Sequence, residues 1–262
     1  GFRNTTATEV ALAPYARLYR FGIPKTEGFY IQHEGLIGVA GAEGLKEFTY
    51  ADAQKENLTK AFANQTGGWV GITDKYWAAA LVPPQALAAT TTYNARKPDG
   101  GREALFYVDY ALPLVKAAAG GTGEVASHMY AGAKQPNLVE GYQDTLKVKQ
   151  FDLMIDWGWF YFITKPLYHL INWLYKFLGN FGFAILAVTL LVKIAFFPLA
   201  NKAYESMAKM KKLQPQMEQL RERFKDDKAR QQQELMALYS KEKINPLAGC
   251  LPILLQIPVF FA

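Results

Sequence analysis

The chain has 262 residues, with 29 Lys or Arg against 23 Asp or Glu and a net charge of +6. It is long enough for one sizeable core plus a further part, and its modest charge excludes nothing but argues against sequence-specific nucleic-acid reading. Its single cysteine, Cys250, rules out an intrachain disulfide. A cysteine-free first half is compatible with an oxidising compartment without requiring one. Mean hydropathy is near zero, but it averages two unlike halves. Residues before about 150 read as a soluble domain, and those after it as membrane and membrane-flanking helices. With no starting Met, no visible signal peptide and a last apolar run that stops at Ala262, the expectation is a fragment of a longer polytopic protein.

Residues 1–150 carry short β-like runs: GFYIQ, LIGVAG, GGWVGIT, AAALVP, ALFYVDY and LKVKQF. Gly, Pro, Asn and Asp separate them, and the spacing predicts an antiparallel sheet or sandwich. ADAQKENLTKAF is a candidate short helix, and no clean internal repeat is present.

Residues 151–180 change character. Ile163, Leu167, Leu170, Leu174 and Phe177 recur at three- and four-residue spacings, with Lys165, His169, Asn172 and Lys176 between them. This predicts an amphipathic helix, with Thr164 as N-cap and Pro166 in its first turn. Its Trp and Tyr content favours the headgroup region of a membrane over packing on the soluble domain.

Residues 181–200 are apolar except for Thr189 and Lys193. Phe181 to Leu199 as a helix rises about 28 Å, enough for a hydrocarbon core of about 30 Å. A charge there costs roughly 2.5–3.5 kcal/mol on insertion scales, so such a Lys faces protein or water. Residues 201–244 predict a helical hairpin. Met210, Leu213, Met217, Leu220 and Phe224 form a coiled-coil seam on its first arm, which Pro215 should kink. Asp226 and Asp227 are placed to cap the second arm, whose seam includes Leu235, Leu238 and Glu242. Residues 245–262 (NPLAGCLPILLQIPVFFA) open a further span. Eleven Lys or Arg lie between Lys202 and Lys243, against Lys165 and Lys176 before the span. The hairpin is therefore expected in the cytoplasm and the β-rich domain outside, which in a bacterium is the periplasm.

The run GGWVGITDKYWAAALVP, then DWGWFYFITKPL, a span ending VKIAFFPL, and finally SMAKMKKLQP, RERFKDDK and ELMALYSKEKINPLAGCLPILLQIPVF resemble the bacterial members of the YidC/Oxa/Alb membrane-protein insertases. The resemblance covers nearly the whole chain, and its last run is the most specific part. It implies a membrane α-helical fold with a periplasmic β-sandwich domain, and a hydrophilic groove open to cytoplasm and lipid. It implies localisation in the bacterial inner membrane. The implied partners are nascent membrane proteins, the Sec translocon (SecYEG, SecDF), the ribosome and signal-recognition machinery, and membrane lipids; no specific nucleic acid is implied. The groove's single positive charge, usually Arg in that family, matches Lys193. Arg offers a rigid fork of donors and Lys a point charge on a flexible stem, so attraction for acidic segments carries over while bidentate recognition does not.

Each candidate residue has a plainer reading beside it. Lys193 could snorkel to the headgroups. Thr189, one turn earlier on the same face, could bond its own helix backbone. Gln256 is a polar amide expected to face protein in the groove, with Ile257 and Phe260 matching groove-wall positions of the family, against ordinary helix packing. Met207, Lys209 and Met210 match a cytoplasmic docking surface, against a solvated charged face. Asp226 joins them, against a simple cap. His33, His128 and His169 lack metal-ligand spacing, and Asp152 and Asp156 precede the amphipathic helix rather than forming a catalytic pair. No nucleophile elbow or P-loop is present, so no enzyme and no cofactor are expected. Two rivals from other classes are a channel or transporter with Lys193 on its path, and a membrane-anchored carbohydrate-binding module.

Overall fold

A computed structural model of the chain describes residues 1–25, 32–97, 100, 103–225, 227–241 and 257. The chain opens with β1 (Phe2–Arg3), β2 (Val10–Leu12), β3 (Tyr15–Phe21), β4 (Gly35–Ala40) and β5 (Leu45–Thr49). Helix α1 (Tyr50–Glu56) precedes β6 (Thr59–Thr66), β7 (Gly68–Thr73), β8 (Trp77–Val82), β9 (Ala88–Arg96) and β10 (Leu105–Ala111). Then come β11 (Val115–Ala117), β12 (Thr122–Gly123), β13 (His128–Ala133), α2 (Pro136–Leu146), α3 (Tyr161–Leu178), α4 (Phe181–Arg223) and α5 (Lys228–Lys241). The chain divides into two compact units, Gly1–Asp156 and Trp157–Ala262.

The first unit stacks two antiparallel sheets, ordered β3-β10-β9-β6 and β13-β8-β7-β4-β5. Leu36, Val70, Ile72 and Leu81 of the second sheet meet Tyr93, Phe106, Val108 and Tyr110 of the first. On the other face of the five-stranded sheet, Ile37, Val39, Trp69 and Val82 lie under Val139, Val148, Phe151 and Met154. Strands β4 and β7 are thus buried on both faces, which is why they read as continuous apolar runs rather than alternating ones. Gly38 permits the close packing. A Cβ there would stand 2.3 Å from the Tyr93 hydroxyl and 2.5 Å from the Trp69 carbonyl oxygen.

Several expected elements shift for local reasons. Within ADAQKENLTKAF only the first half is helical. Thr49 caps α1 by accepting from the Asp52 amide at 3.1 Å, Asn57 ends it in the left-handed region, and Thr59 onward pairs with β9. LKVKQF is not a strand. Leu146 ends α2, and Lys147 and Gln150 both have positive φ, which breaks an extended run and leads into a 3-10 turn at Phe151–Met154. Of the run GFYIQ, residues 28–31 lie outside the described residues. The first unit extends to Asp156 rather than ending at 150, because Phe151 and Met154 are buried beside Trp69.

In the second unit α3 starts at Tyr161, before the expected cap. The Thr164 hydroxyl donates back to the Phe160 carbonyl at 3.1 Å, and Pro166 lies inside the helix. Helix α4 runs unbroken from Phe181 to Arg223 through Pro198 and Pro215, so no break in the helix marks residue 200. From Phe183 to Arg223 no Gly or turn pair stands to stop it, and Pro198 and Pro215 lie inside the helix without ending it. Asp227 caps α5 by accepting from the Arg230 amide at 3.0 Å, while Asp226 lies outside the described residues, as does Glu242. Gln231 reaches the Arg221 carbonyl at 2.9 Å and Tyr239 the Met217 sulfur at 3.7 Å, so α5 runs back along α4.

Candidate functional site: the α4 face around Lys193

The chain turns from α3 into α4 over two residues. Gly179 takes the left-handed conformation that a Cβ disfavours, and its amide donates to the Tyr175 carbonyl at 2.8 Å. Asn180 then caps α4, its side-chain oxygen accepting from the amides of Gly182 at 2.8 Å and Phe183 at 3.3 Å. This reversal lays Leu167, Leu170, Ile171 and Leu174 of α3 against Ala184, Ala187, Val188 and Val192 of α4. Large residues on one helix meet small ones on the other, and Leu174, Ala184 and Val188 are buried. Phe177, expected on the same apolar face, is exposed instead.

Lys193 is nine residues from Ala184, which at about 100° per residue sets it roughly opposite the α3 seam. Its side chain is exposed. It stands about 18 Å along the axis from Phe181, past the middle of a hydrocarbon core of about 30 Å. Thr189 lies one turn earlier on the same side and is also exposed. Its hydroxyl donates to the Ile185 carbonyl at 2.8 Å, the local bond that satisfies a polar group in an apolar helix. The flanking Leu186, Leu190, Ile194 and Phe197 are exposed apolar residues. Among the described residues, α4 is the one helix long and apolar enough to cross a membrane, and only 11% of its most apolar stretch is buried. A surface this apolar is incompatible with water and suits lipid or further helices.

The structure does not gather all the expected residues at one place. Ile257 is helical and exposed, whereas Gln256 and Phe260 lie outside the described residues. Met207 and Lys209 are exposed farther along α4, and Met210 is half-buried on the seam that includes the buried Leu213. From Lys193 to Met207 is about 21 Å of helix, so these form a second patch and not part of the first. The docking of α3 on α4 was not expected. Its trace in the sequence is the row Ala184, Ala187 and Val188, small residues at helical spacing facing a Leu stripe.

Residues 2–170 match the family described as YidC periplasmic domain, and residues 173–262 the family described as 60Kd inner membrane protein. Proteins named membrane protein insertase YidC from Beijerinckia indica and Brucella suis are each 52% identical over 260 residues, 99% of this chain and 42% of their own length. One from Sinorhizobium medicae is 49% identical, with 99% of this chain and 43% of that protein covered. The chain therefore spans less than half the length of the curated relatives it matches.

Proposed function

The chain belongs to the YidC family of membrane protein insertases, and from that premise we propose that it forms the periplasmic domain and first groove helix of an inner-membrane insertase and chaperone. The observation that carries this is the lone charge of the apolar stretch 181–199, Lys193, on the side of α4 turned away from the α3 seam. In a wet groove, polar parts of a client keep water partners instead of entering hydrocarbon, where each unpaired group costs several kcal/mol. Lys193 attracts acidic residues of the translocated segment, and Thr189, Gln256, Ile257 and Phe260 line the same groove. The client's apolar part then moves into lipid, where burial drives the step without a nucleotide.

In this reading α3 lies at the outer membrane interface, supported by exposed Trp173 and Phe177 beside Lys165 and Lys176. Residues 201–244 lie in the cytoplasm, where Met207, Lys209, Met210 and Asp226 meet the nascent chain or its delivery machinery. The Sec translocon, the ribosome and the signal-recognition machinery are the partners proposed there. Reconstitution tests the whole reading. Vesicles carrying the full-length protein should insert a short single-span client that protein-free vesicles leave outside, and should not conduct ions. Ion conduction without insertion would instead favour the channel reading.

A further inference from the structure

A small charged cavity lies where the chain leaves the first unit. In the turn from β7 to β8 the Asp74 amide donates to the Trp77 carbonyl at 2.9 Å, and the turn carries Lys75 and Tyr76. Lys134 follows β13, and its amide donates to the Tyr76 carbonyl at 2.8 Å, which sets it beside that turn. Gln32, Lys75, Tyr76, Lys134, Ile155 and Asp156 line a cavity of about 290 Å³. The Lys134 ammonium is half-buried, and among the described residues its side-chain hydrogen bond goes to a neutral group, the Thr73 hydroxyl, at 3.0 Å. No carboxylate among the described residues forms an ion pair with it. Burial lowers its pKa, although Asp156, Glu34 and Asp74 act the other way from farther off. A desolvated ammonium whose charge no neighbour pairs calls for an anionic partner.

The cavity does not suit a plain anion. Asp156 stands on its wall, oriented by accepting from the His33 amide at 2.7 Å. Walls of both signs fit a ligand of both signs, with phosphate oxygens on Lys134 and Lys75 and an ammonium on Asp156. We propose that the cavity takes the headgroup of phosphatidylethanolamine from the outer leaflet of the bilayer. A choline headgroup has no N–H to donate to the carboxylate, and a glycerol headgroup brings it no positive charge. The path of the chain favours a lipid over a soluble ester. Asp156 is five residues before Tyr161 of α3, at most about 18 Å of extended chain. Between them Trp159 is 91% exposed, as suits an indole at headgroup level. The site therefore rests on the interfacial placement of α3 proposed above. When occupied, it fixes the end of the first unit at the membrane surface and gives the protein a lipid preference.

The test uses full-length protein free of other thiols, Cys250→Ser included, in nanodiscs of phosphatidylcholine alone or with added phosphatidylethanolamine or phosphatidylglycerol. Gln32 lines the cavity and is exposed, so Gln32→Cys reports occupancy through its rate of reaction with a maleimide. Phosphatidylethanolamine should slow that reaction roughly tenfold, and the other two lipids should change it less than about twofold. A control thiol at the exposed Leu114, Leu114→Cys, should react alike in all three. Asp156→Asn keeps an acceptor for the His33 amide and should remove the preference for phosphatidylethanolamine over phosphatidylglycerol. Lys134→Gln should abolish protection by any lipid. Equal rates in the three lipids would overturn the proposal. So would slowing that survives Lys134→Gln, or soluble phosphoethanolamine protecting as well as the lipid does. Quenching of Trp159 by brominated lipid, read against Trp159→Phe, checks the placement of α3 separately. Equal rates with quenching intact overturn the headgroup site alone, and absent quenching overturns the placement and the site with it.

Discussion

Two buried tyrosines of the sandwich show how one side-chain hydroxyl can have opposite consequences. Tyr50 donates to Asp74 at 2.7 Å, and Asp74 also pairs with Arg20. The Tyr93 hydroxyl is buried without a partner among the described residues, hemmed in beside Gly38. Tyr50→Phe should therefore cost about 1–3 kcal/mol by leaving an Asp74 oxygen short of a donor, while Tyr93→Phe should be neutral or stabilising. Urea unfolding of both variants checks the contrast, and an equal loss in both would contradict it. Burial first, and for Tyr50 the hydrogen bond to Asp74 as well, raises both phenols above their ordinary range near 10. The folded state then keeps protons that the unfolded chain releases, so this stability is fully present below about pH 10 and is lost as pH rises above it. Lys134 works in the opposite direction, since burial lowers its pKa and its charge opposes folding below the ordinary 10.5. Ultraviolet titration at high pH should show Tyr50 and Tyr93 ionising only as the domain unfolds; ionisation in the folded domain would refute the burial argument.

At the scale of elements, α4 joins regions of different support. Its first turns are packed by α3 through Leu174, Ala184 and Val188, whereas its last turns meet α5 through a sparse seam containing Leu213. Pro215 also removes a backbone donor there. Amide exchange in lipid should thus be faster across residues 211–241 than across 181–199, and equal protection would contradict this. The apolar stretch, the α3 periodicity and strands such as LIGVAG and GGWVGIT were legible because their patterns are set by burial alone. What the sequence hid was set by backbone conformation and tertiary pairing. Nothing in ADAQKENLTKAF marks Asn57 as a left-handed stop, and LKVKQF alternates like a strand although Lys147 and Gln150 break it. Strand β3, with Tyr15, Arg17, Tyr19 and Phe21 on its exposed side, hides its alternation because that side is aromatic rather than polar. Lys193 stood out as the one charge in an apolar run, but the helix face it occupies became visible only once the α3 seam was known.

For the molecule as a whole, the proposed function requires the two ends of α4 to lie on opposite sides of the membrane. The eleven basic residues between Lys202 and Lys243 support the proposed orientation. Single cysteines placed in the first unit should react with a membrane-impermeant reagent in intact spheroplasts, and cysteines in α5 should not; labelled α5 would reverse the topology. The central claim, that Lys193 acts on clients electrostatically from a hydrated groove, is tested most directly by insertion of matched clients with and without acidic residues in the translocated segment. Vesicles carrying full-length protein with Lys193→Ala should insert the acidic client at least tenfold more slowly than the parent. The client without acidic residues should be much less affected, and Lys193→Arg should retain most activity. If Lys193→Ala inserts both clients as fast as the parent, the charge serves only to reach the headgroups, and the groove mechanism is wrong.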